Sequence, residues 1–244
     1  MSGGENAADG PSSIVYAALG DSMSIDDYAG GAGRGAASLL LRNRDEDFPD
    51  WAGRDLVSRD PGARMLMLAS DGATSRDVAE FQLPSIGRRV PTMATVTMGG
   101  NDLLFAFGDS AAARRAIGNV TSNGREVLGG LRELMGPDAP IVVGTIYDPS
   151  DGTGDSGFQD LPPWPEVQDL LAEFNGELRT LAESYGARVA DLHARFMGHG
   201  LTEGDPGQQE PRPADRNLWY CGLIEPNAWG ANAIRAAFWD ALAA

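Results

Sequence analysis

The chain has 244 residues and a formal net charge of −16, with 42% hydrophobic and 22% charged residues. These proportions are typical of globular proteins and exclude a wholly disordered chain, while the negative charge disfavours nucleic acid and anionic membranes as partners. The 19 Lys and Arg residues are all Arg, which excludes Schiff-base lysine chemistry, and the single Cys excludes an internal disulfide and a multi-cysteine zinc site.

The first twelve residues are polar and rich in Gly and Ala. We expect residues 1–12 to form a disordered tail rather than a secretion signal, and residues 13–244 to form one domain. No apolar run approaches the length that a membrane span requires. The predicted location is therefore the cytoplasm.

Five short apolar runs follow along the chain, each too short for a helix. They predict strands buried on both faces at Ile14–Leu19, Met65–Ala69, Ala94–Met98, Ile141–Ile146 and Ala187–Ala190. Apolar residues at helical spacing predict helices over Ala111–Leu134, over Val167–Tyr185 and around Ala231, Ile234, Phe238 and Leu242. Strands that alternate with helices predict an α/β fold with a five-stranded parallel sheet and helices on both faces.

Two long stretches without periodicity each come after a predicted strand, at Asp148–Trp164 and Gly198–Glu225. Loops of this length in a compact domain are usually functional or mobile. Both are expected to leave the C-terminal edge of the sheet, which is where open α/β folds bind ligands.

The first strand ends in Gly20-Asp21-Ser22. A nucleophilic serine needs a sharp turn between strand and helix that lifts its hydroxyl off the sheet, and a preceding glycine permits such a turn. The same three residues are also common in ordinary turns.

The ends of the second and third predicted strands carry groups that could stabilise a negative charge. Asn101 follows the third strand and offers a side-chain N–H donor for an oxyanion hole, although Asn101 or Asp102 could instead cap the next helix. Gly72 follows the second strand and could present its backbone N–H to the same site, or it could be a loop glycine before a helix capped by Ser75.

Taken together, these blocks resemble the SGNH, or GDSL, hydrolases. Ser22 matches the nucleophile of that family, Gly72 its oxyanion glycine, and Asn101 with Gly100 its oxyanion asparagine. The resemblance covers the chain from Ile14 to Ala241. It implies a three-layer flavodoxin-like fold and acyl transfer through a serine ester of a small-molecule substrate, without a metal or other cofactor.

The last block departs from the family pattern. The family has Asp-x-x-His-Pro before its last helix, whereas this chain has Glu225 in place of the histidine and Gly222 in place of the aspartate. A serine hydroxyl is a poor nucleophile without an adjacent base. The base must therefore come from elsewhere if the site is active.

The base that we expect is His199, which lies between two glycines in the second long loop. In this relocated triad Glu225 would hold the imidazole in one tautomer, as the acid does in a Ser-His-acid triad. Two alternatives are left open. Glu225 could act directly as the base if burial raises its pKa from about 4.3, or the site could be inactive.

We therefore predict a serine esterase in which Ser22 attacks the ester, His199 takes the proton, and the Ser22 N–H, Gly72 and Asn101 stabilise the oxyanion. Direct contacts with the substrate are predicted for Asp21, Gly100 and Trp219. An acyltransferase that uses the same serine, and a ligand-binding module without turnover, are the alternatives. The sequence leaves the oligomeric state open.

Overall fold

The computed structural model describes residues 13–155 and 162–243, so the tail expected at residues 1–12 lies outside the described residues. Five strands form a parallel sheet: β1 (Val15–Leu19), β2 (Arg64–Met67), β3 (Met93–Val96), β4 (Ile141–Gly144) and β5 (Arg188–Ala190). Their order across the sheet is β2-β1-β3-β4-β5. The prediction of a five-stranded parallel sheet is confirmed.

The strands differ in burial. Every residue of β1, β3 and β4 is buried, whereas Arg64 and Met67 of β2 and Arg188 of β5 are exposed. The expectation that all five runs are buried on both faces is therefore wrong for the two edge strands. An edge strand has a neighbour on one side only, and solvent reaches part of it.

The helices of the described part are α1 (Ala36–Leu41), α2 (Leu56–Arg59), α3 (Ser75–Asp77), α4 (Leu83–Ser85), α5 (Gly100–Leu104), α6 (Ser110–Met135), α7 (Val167–Ser184), α8 (Leu192–Phe196) and α9 (Ala228–Ala243). A π-helical turn, Val78–Gln82, joins α3 to α4, and a 3₁₀ turn spans Pro49–Trp51. The three long predicted helices are confirmed as α6, α7 and α9.

The long helices form layers over the sheet. α1 packs against α9, and α6 packs against α7. α6 and α7 each bury the apolar stripe that the helical spacing predicts. None of the helices within the described ranges is long and apolar enough to cross a bilayer.

The second long loop contains a small hairpin that the sequence did not predict. Its strands are β6 (Tyr220–Cys221) and β7 (Glu225–Pro226), with Cys221 paired to Glu225. The side chain of Asn227 donates to the carbonyls of Leu218 and Tyr220 and accepts from the first N–H groups of α9. The hairpin is thus fixed to the start of the last helix.

Candidate active site

The turn that carries Ser22 starts with a glycine for a steric reason. Gly20 has φ +134°, and a Cβ at this position would collide with both the side chain and the carbonyl of Thr97. The Thr97 hydroxyl accepts from the Asp21 N–H at 3.2 Å and is hydrogen-bonded to the Ser24 hydroxyl at 3.1 Å. The end of β3 therefore holds the turn at the end of β1.

A buried glutamine holds the same turn from the other side. Gln82 Oε1 accepts from the Gly20 N–H at 2.7 Å, and Gln82 Nε2 donates to the Gly20 carbonyl at 2.8 Å. Gln82 is the last residue of the π-helical turn, and such turns often lie at functional sites. Both backbone groups of Gly20 are thereby fixed two residues before the nucleophile.

Asp21 lies beside the nucleophile and is almost fully buried. Burial raises its pKa to about 6, although hydrogen bonds from Thr97 and from the Met23 N–H oppose the rise. A carboxyl group with this pKa is largely ionised at neutral pH, so Asp21 adds negative charge next to Ser22.

The oxyanion asparagine lies at the end of β3, as expected. Asn101 Nδ2 donates one hydrogen bond to the Ala73 carbonyl at 3.0 Å. An amide NH2 group carries two donors, so its second N–H is available to a ligand. The Ser22 N–H likewise donates no hydrogen bond to any residue in the described part of the chain.

Neither Asn101 nor Asp102 caps the helix after β3, because both lie inside α5, whose N-cap residue is Gly99. The Asp102 carboxylate accepts from the Ser75 N–H and from the Ser75 hydroxyl, each at 2.8 Å. Ser75 is the first residue of α3. Asp102 therefore ties the loop after β3 to the loop after β2 and leaves Asn101 free for the site.

Gly72 lies in the turn after β2 with φ +67°, a backbone conformation that glycine adopts without strain. It is exposed, and a Cβ at this position would meet no atom within 4 Å. Gly72 does not line the cavity at Ser22. Its role as an oxyanion donor stays a prediction.

Glu225 reaches the site on the hairpin between β6 and β7. The connecting loop contains Gly222 at φ +54° and Leu223 at φ +79°, and a non-glycine residue in the left-handed region is uncommon. The Tyr147 hydroxyl donates to the carbonyl of Ile224 at 2.8 Å. This bond and the strained turn present Glu225 to the carboxyl edge of the sheet.

The Glu225 carboxylate faces the Ser22 hydroxyl. Burial raises the pKa of Glu225 to about 7; the charges of Asp71 and Asp21 add to the rise, and hydrogen bonding with Ser22 opposes it. Oε2 is buried and has no hydrogen-bond partner among the described residues. This carboxylate oxygen is therefore free to accept a proton.

The structure does not bring His199 to Ser22. The His199 ring stacks on Trp219 with a centroid distance of 3.5 Å, and its Nδ1 lies 2.9 Å from the carbonyl of Asn217. Within the described residues the ring makes no hydrogen bond to Ser22 or Glu225, and it does not line the cavity beside them. The expected approach of His199 is therefore corrected: an aromatic stack and a backbone carbonyl hold the ring in its own loop.

Trp219 is also not where the substrate contact was predicted. Its ring packs between His199 and Phe196, and its Nε1 donates to the carbonyl of Arg216. Trp219 does not border the cavity at Ser22. Trp219 stacks on His199 and meets Phe196 in a T-shaped contact, so these rings hold it within the packing of the second long loop.

A cavity of ≈ 160 Å³ opens at Ser22. The predicted site residues that border it are Asp21, Ser22, Gly100, Asn101 and Glu225. The remainder of the wall is mostly apolar. Across residues 13–155 and 162–243, no group of three or more His, Cys, Asp and Glu side chains is arranged to hold a metal ion.

Sequence reasoning missed three residues that build the site, namely Gln82, Tyr147 and Asn227. Gln82 is preceded by an apolar, helix-like segment that gives no sign of a π-helical turn. Asn227 did carry a signal, since Asn before an apolar run is a helix cap. Tyr147 follows β4 directly, at the sheet edge where ligands bind.

Comparison with known proteins places the fold among hydrolases. The sequence profile of the GDSL-like lipase/acylhydrolase family matches residues 18–232. No curated protein matches the chain.

Three solved structures are similar over nearly the whole chain. An acetylxylan esterase from Geobacillus stearothermophilus has 15% identity and a TM-score of 0.63, with 94% of each chain covered. An alpha/beta hydrolase from the metagenome of Lake Arreo has 18% identity and a TM-score of 0.59, with 94% of this chain and 95% of that one covered. An extracellular lipase from Streptomyces rimosus has 20% identity and a TM-score of 0.55, with coverages of 93% and 99%. At these identities the likeness concerns the fold.

Proposed function

The chain belongs to the GDSL-like lipase/acylhydrolase family and is an SGNH-type esterase, and from this premise we propose that it hydrolyses a carboxylic ester of a small molecule through an acyl-enzyme on Ser22, with Glu225 as the base. One observation carries this proposal. The half-buried Glu225 carboxylate faces the Ser22 hydroxyl at the cavity that both residues line, and burial raises its pKa to about 7. A general base works best when its pKa lies near the operating pH, whereas a carboxylate near 4.3 is a feeble base for serine.

In the acylation step Glu225 accepts the proton of the Ser22 hydroxyl as the oxygen attacks the ester carbonyl carbon. The carbonyl oxygen becomes an oxyanion that accepts from the free N–H of Asn101 and from the Ser22 N–H, with Gly72 N–H as a third donor. Such donors stabilise charge that develops in the transition state. The protonated Glu225 then gives its proton to the departing alcohol, and the acyl group stays on Ser22.

In the deacylation step Glu225 is again a carboxylate and takes a proton from a water molecule that attacks the acyl-enzyme. The same donors hold the second oxyanion, and Ser22 leaves with the proton returned by Glu225. One group with a pKa near 7 thus acts as base and acid in turn. The reaction needs no second titratable partner.

The competing assignment is the relocated triad with His199 as base. It requires the His199 ring to leave its stack on Trp219 and its contact with the Asn217 carbonyl. It also requires the second long loop to bring the ring to a carboxylate that already faces Ser22. Direct action of Glu225 requires neither movement, and this is why we favour it.

Hydrolysis of p-nitrophenyl butyrate by the wild-type chain and by Ser22→Ala tests the proposed function. We expect turnover by the wild type only, and a mass increase of one butyryl group on the peptide that carries Ser22 after rapid acid quench. A fluorophosphonate probe should label the wild type and not Ser22→Ala, since such probes react with activated serines.

Three results would contradict the proposal. No labelling and no turnover would indicate a ligand-binding module. Esters formed with an added alcohol at the expense of free acid would indicate an acyltransferase. Turnover that survives in Ser22→Ala would place the chemistry elsewhere.

A further inference from the structure

The wall of the cavity beside Ser22 is strongly apolar on the side away from Ser22. It opens at Ser22 and runs between the end of α5 and the first turns of α7, a volume of ≈ 160 Å³. The side chains that form this deep part are apolar: Leu103, Leu104, Phe107, Trp164, Leu170 and Leu171. An apolar chamber of this kind is large compared with what a two-carbon group fills.

The polar groups in the wall away from Ser22 are already paired within the protein. Asp148 accepts from the N–H and hydroxyl of Ser150 and from Gln168. The Tyr147 hydroxyl donates to a backbone carbonyl. Trp164 Nε1 donates to a serine hydroxyl at 3.3 Å. The hydrogen-bond donors of these side chains are already used, so a ligand group that enters the chamber must itself be apolar to bind well.

The position of Glu225 indicates which half of the ester enters. Glu225 lies on the hairpin of β6 and β7 and must protonate the departing alcohol, so the alcohol lies against the part of the cavity that Leu223, Ile224 and Glu225 line. The acyl group is then directed to the part of the cavity that α5 and α7 line.

We propose that the chamber between α5 and α7 is an acyl-binding site for an unsubstituted aliphatic group of about six carbons, and that Phe107 limits its length. This inference rests on the proposed function. The size follows from volume, since a dry apolar cavity of about 150 Å³ accommodates one benzene molecule. Each methylene that moves from water into such a site raises kcat/KM by about fourfold until the chamber is full.

Two phenylalanines on the same segment provide a matched pair for the test. Phe107 borders the cavity and packs edge-on against Trp164 with a centroid distance of 5.2 Å. Phe105, two residues earlier, is 78% exposed and does not border the cavity. The substitutions Phe107→Ala and Phe105→Ala therefore remove the same atoms, one set from the chamber wall and one from the surface.

The experiment measures kcat/KM for p-nitrophenyl esters with acyl chains from two to twelve carbons. For the wild type we expect a rise by about fourfold per methylene to a maximum near six carbons and a fall beyond it. Phe107→Ala should move the maximum to longer chains, Leu104→Trp should move it to shorter ones, and Phe105→Ala should leave it in place.

A flat profile, a maximum at acetyl, or the same profile in Phe107→Ala and Phe105→Ala would overturn the acyl-site assignment. In each of these cases the enzyme still cleaves esters, so the proposed function would stand. A second series holds the acyl group as acetyl and lengthens the alcohol. If Phe107→Ala changes only that series, the chamber binds the alcohol and the assignment is wrong. An enzyme that cleaves no ester and takes no fluorophosphonate label contradicts the proposed function itself, and the acyl site with it.

Discussion

Two parts of the second long loop are held in opposite ways relative to Ser22. The hairpin of β6 and β7 brings Glu225 to Ser22 and half-buries it there, with a pKa raised to about 7. The segment just before it holds His199 flat against Trp219. A single long loop thus contains a carboxylate placed at the nucleophile and an imidazole held away from it.

The difference teaches that residue type alone does not identify a catalytic base. Histidine has a pKa suited to the role in water, and glutamate does not. Burial next to two other carboxylates moves the pKa of Glu225 into the same range. Position in the fold has therefore supplied the property that the side chain lacks on its own.

The largest expected effect is the difference in kcat between variants of Glu225 and of His199. Glu225→Gln keeps the size of the side chain but removes the base, and we expect a loss of about 10²–10⁴ in kcat. His199→Ala is the matched comparison and should keep wild-type kcat within about twofold, because the ring touches neither reacting group. Steady-state kinetics at pH 8 measures both. The reverse order of effects would establish the relocated triad.

The second largest effect on kcat should come from the oxyanion hole. Asn101→Ala removes the free side-chain donor, and a lost oxyanion-hole donor typically costs about 10²–10³ in kcat. KM should change much less, since the interaction strengthens only in the transition state. Unchanged kcat in Asn101→Ala would remove it from the oxyanion hole.

Glu225 should lower the stability of the folded chain at alkaline pH. Its pKa is raised from 4.5 to about 7, so the folded state binds the proton more tightly than the unfolded state does. The free energy of unfolding should then fall as pH rises from about 4.5 to about 7, by roughly 3 kcal/mol for this group. Glu225→Gln should not show this part of the fall in the free energy of unfolding, because glutamine does not ionise.

Denaturant unfolding of the wild type and Glu225→Gln at pH 4.5 and pH 8 measures this effect. The variant should be the more stable of the two at pH 8, and the difference should shrink at pH 4.5. Equal stabilities at both values would mean that Glu225 is ionised in the folded protein at little cost. It would then lack the raised pKa on which the proposed base depends.

The smallest of these effects should come from Gln82, which touches no substrate. Gln82→Leu removes both hydrogen bonds to Gly20 and should loosen the turn before Ser22. Misplacement of a reacting group by about 1 Å costs up to about 10²-fold in rate, and we expect the loss in kcat rather than in KM. Gln209→Leu, at an exposed site, is the matched control. A melting temperature that falls with unchanged kcat would assign Gln82 a purely structural role.

The sequence was sufficient to predict the sheet and the positions of Ser22 and Asn101 at its edge. Ser22 and Asn101 are placed by short apolar strands whose ends share one edge, and both features can be identified from local patterns. The π-helical turn at Gln82 could not be predicted, since its hydrogen bonds to Gly20 join residues 62 positions apart.

The roles of Glu225 and His199 could not be predicted from the sequence for another reason. Glu225 was predicted as a site residue, but its role depends on how deeply a two-residue strand is buried and on which charges surround it. Neither quantity follows from spacing along the chain. The stack of His199 on Trp219, separated by 20 positions, likewise depends on the tertiary fold of the loop. The tertiary structure therefore favours Glu225 over His199 as the base, and spacing along the chain could not make that choice.

The pH dependence of kcat/KM, measured at two temperatures on the wild-type chain, tests the central claim most directly. Carboxyl groups ionise with little enthalpy, whereas imidazolium ionises with a large one. The account predicts a rate that rises with pH through a single ionisation near pH 7, at the same pH when cold and when warm. An ionisation that moves clearly to lower pH on warming would identify an imidazole as the base and contradict the role of Glu225.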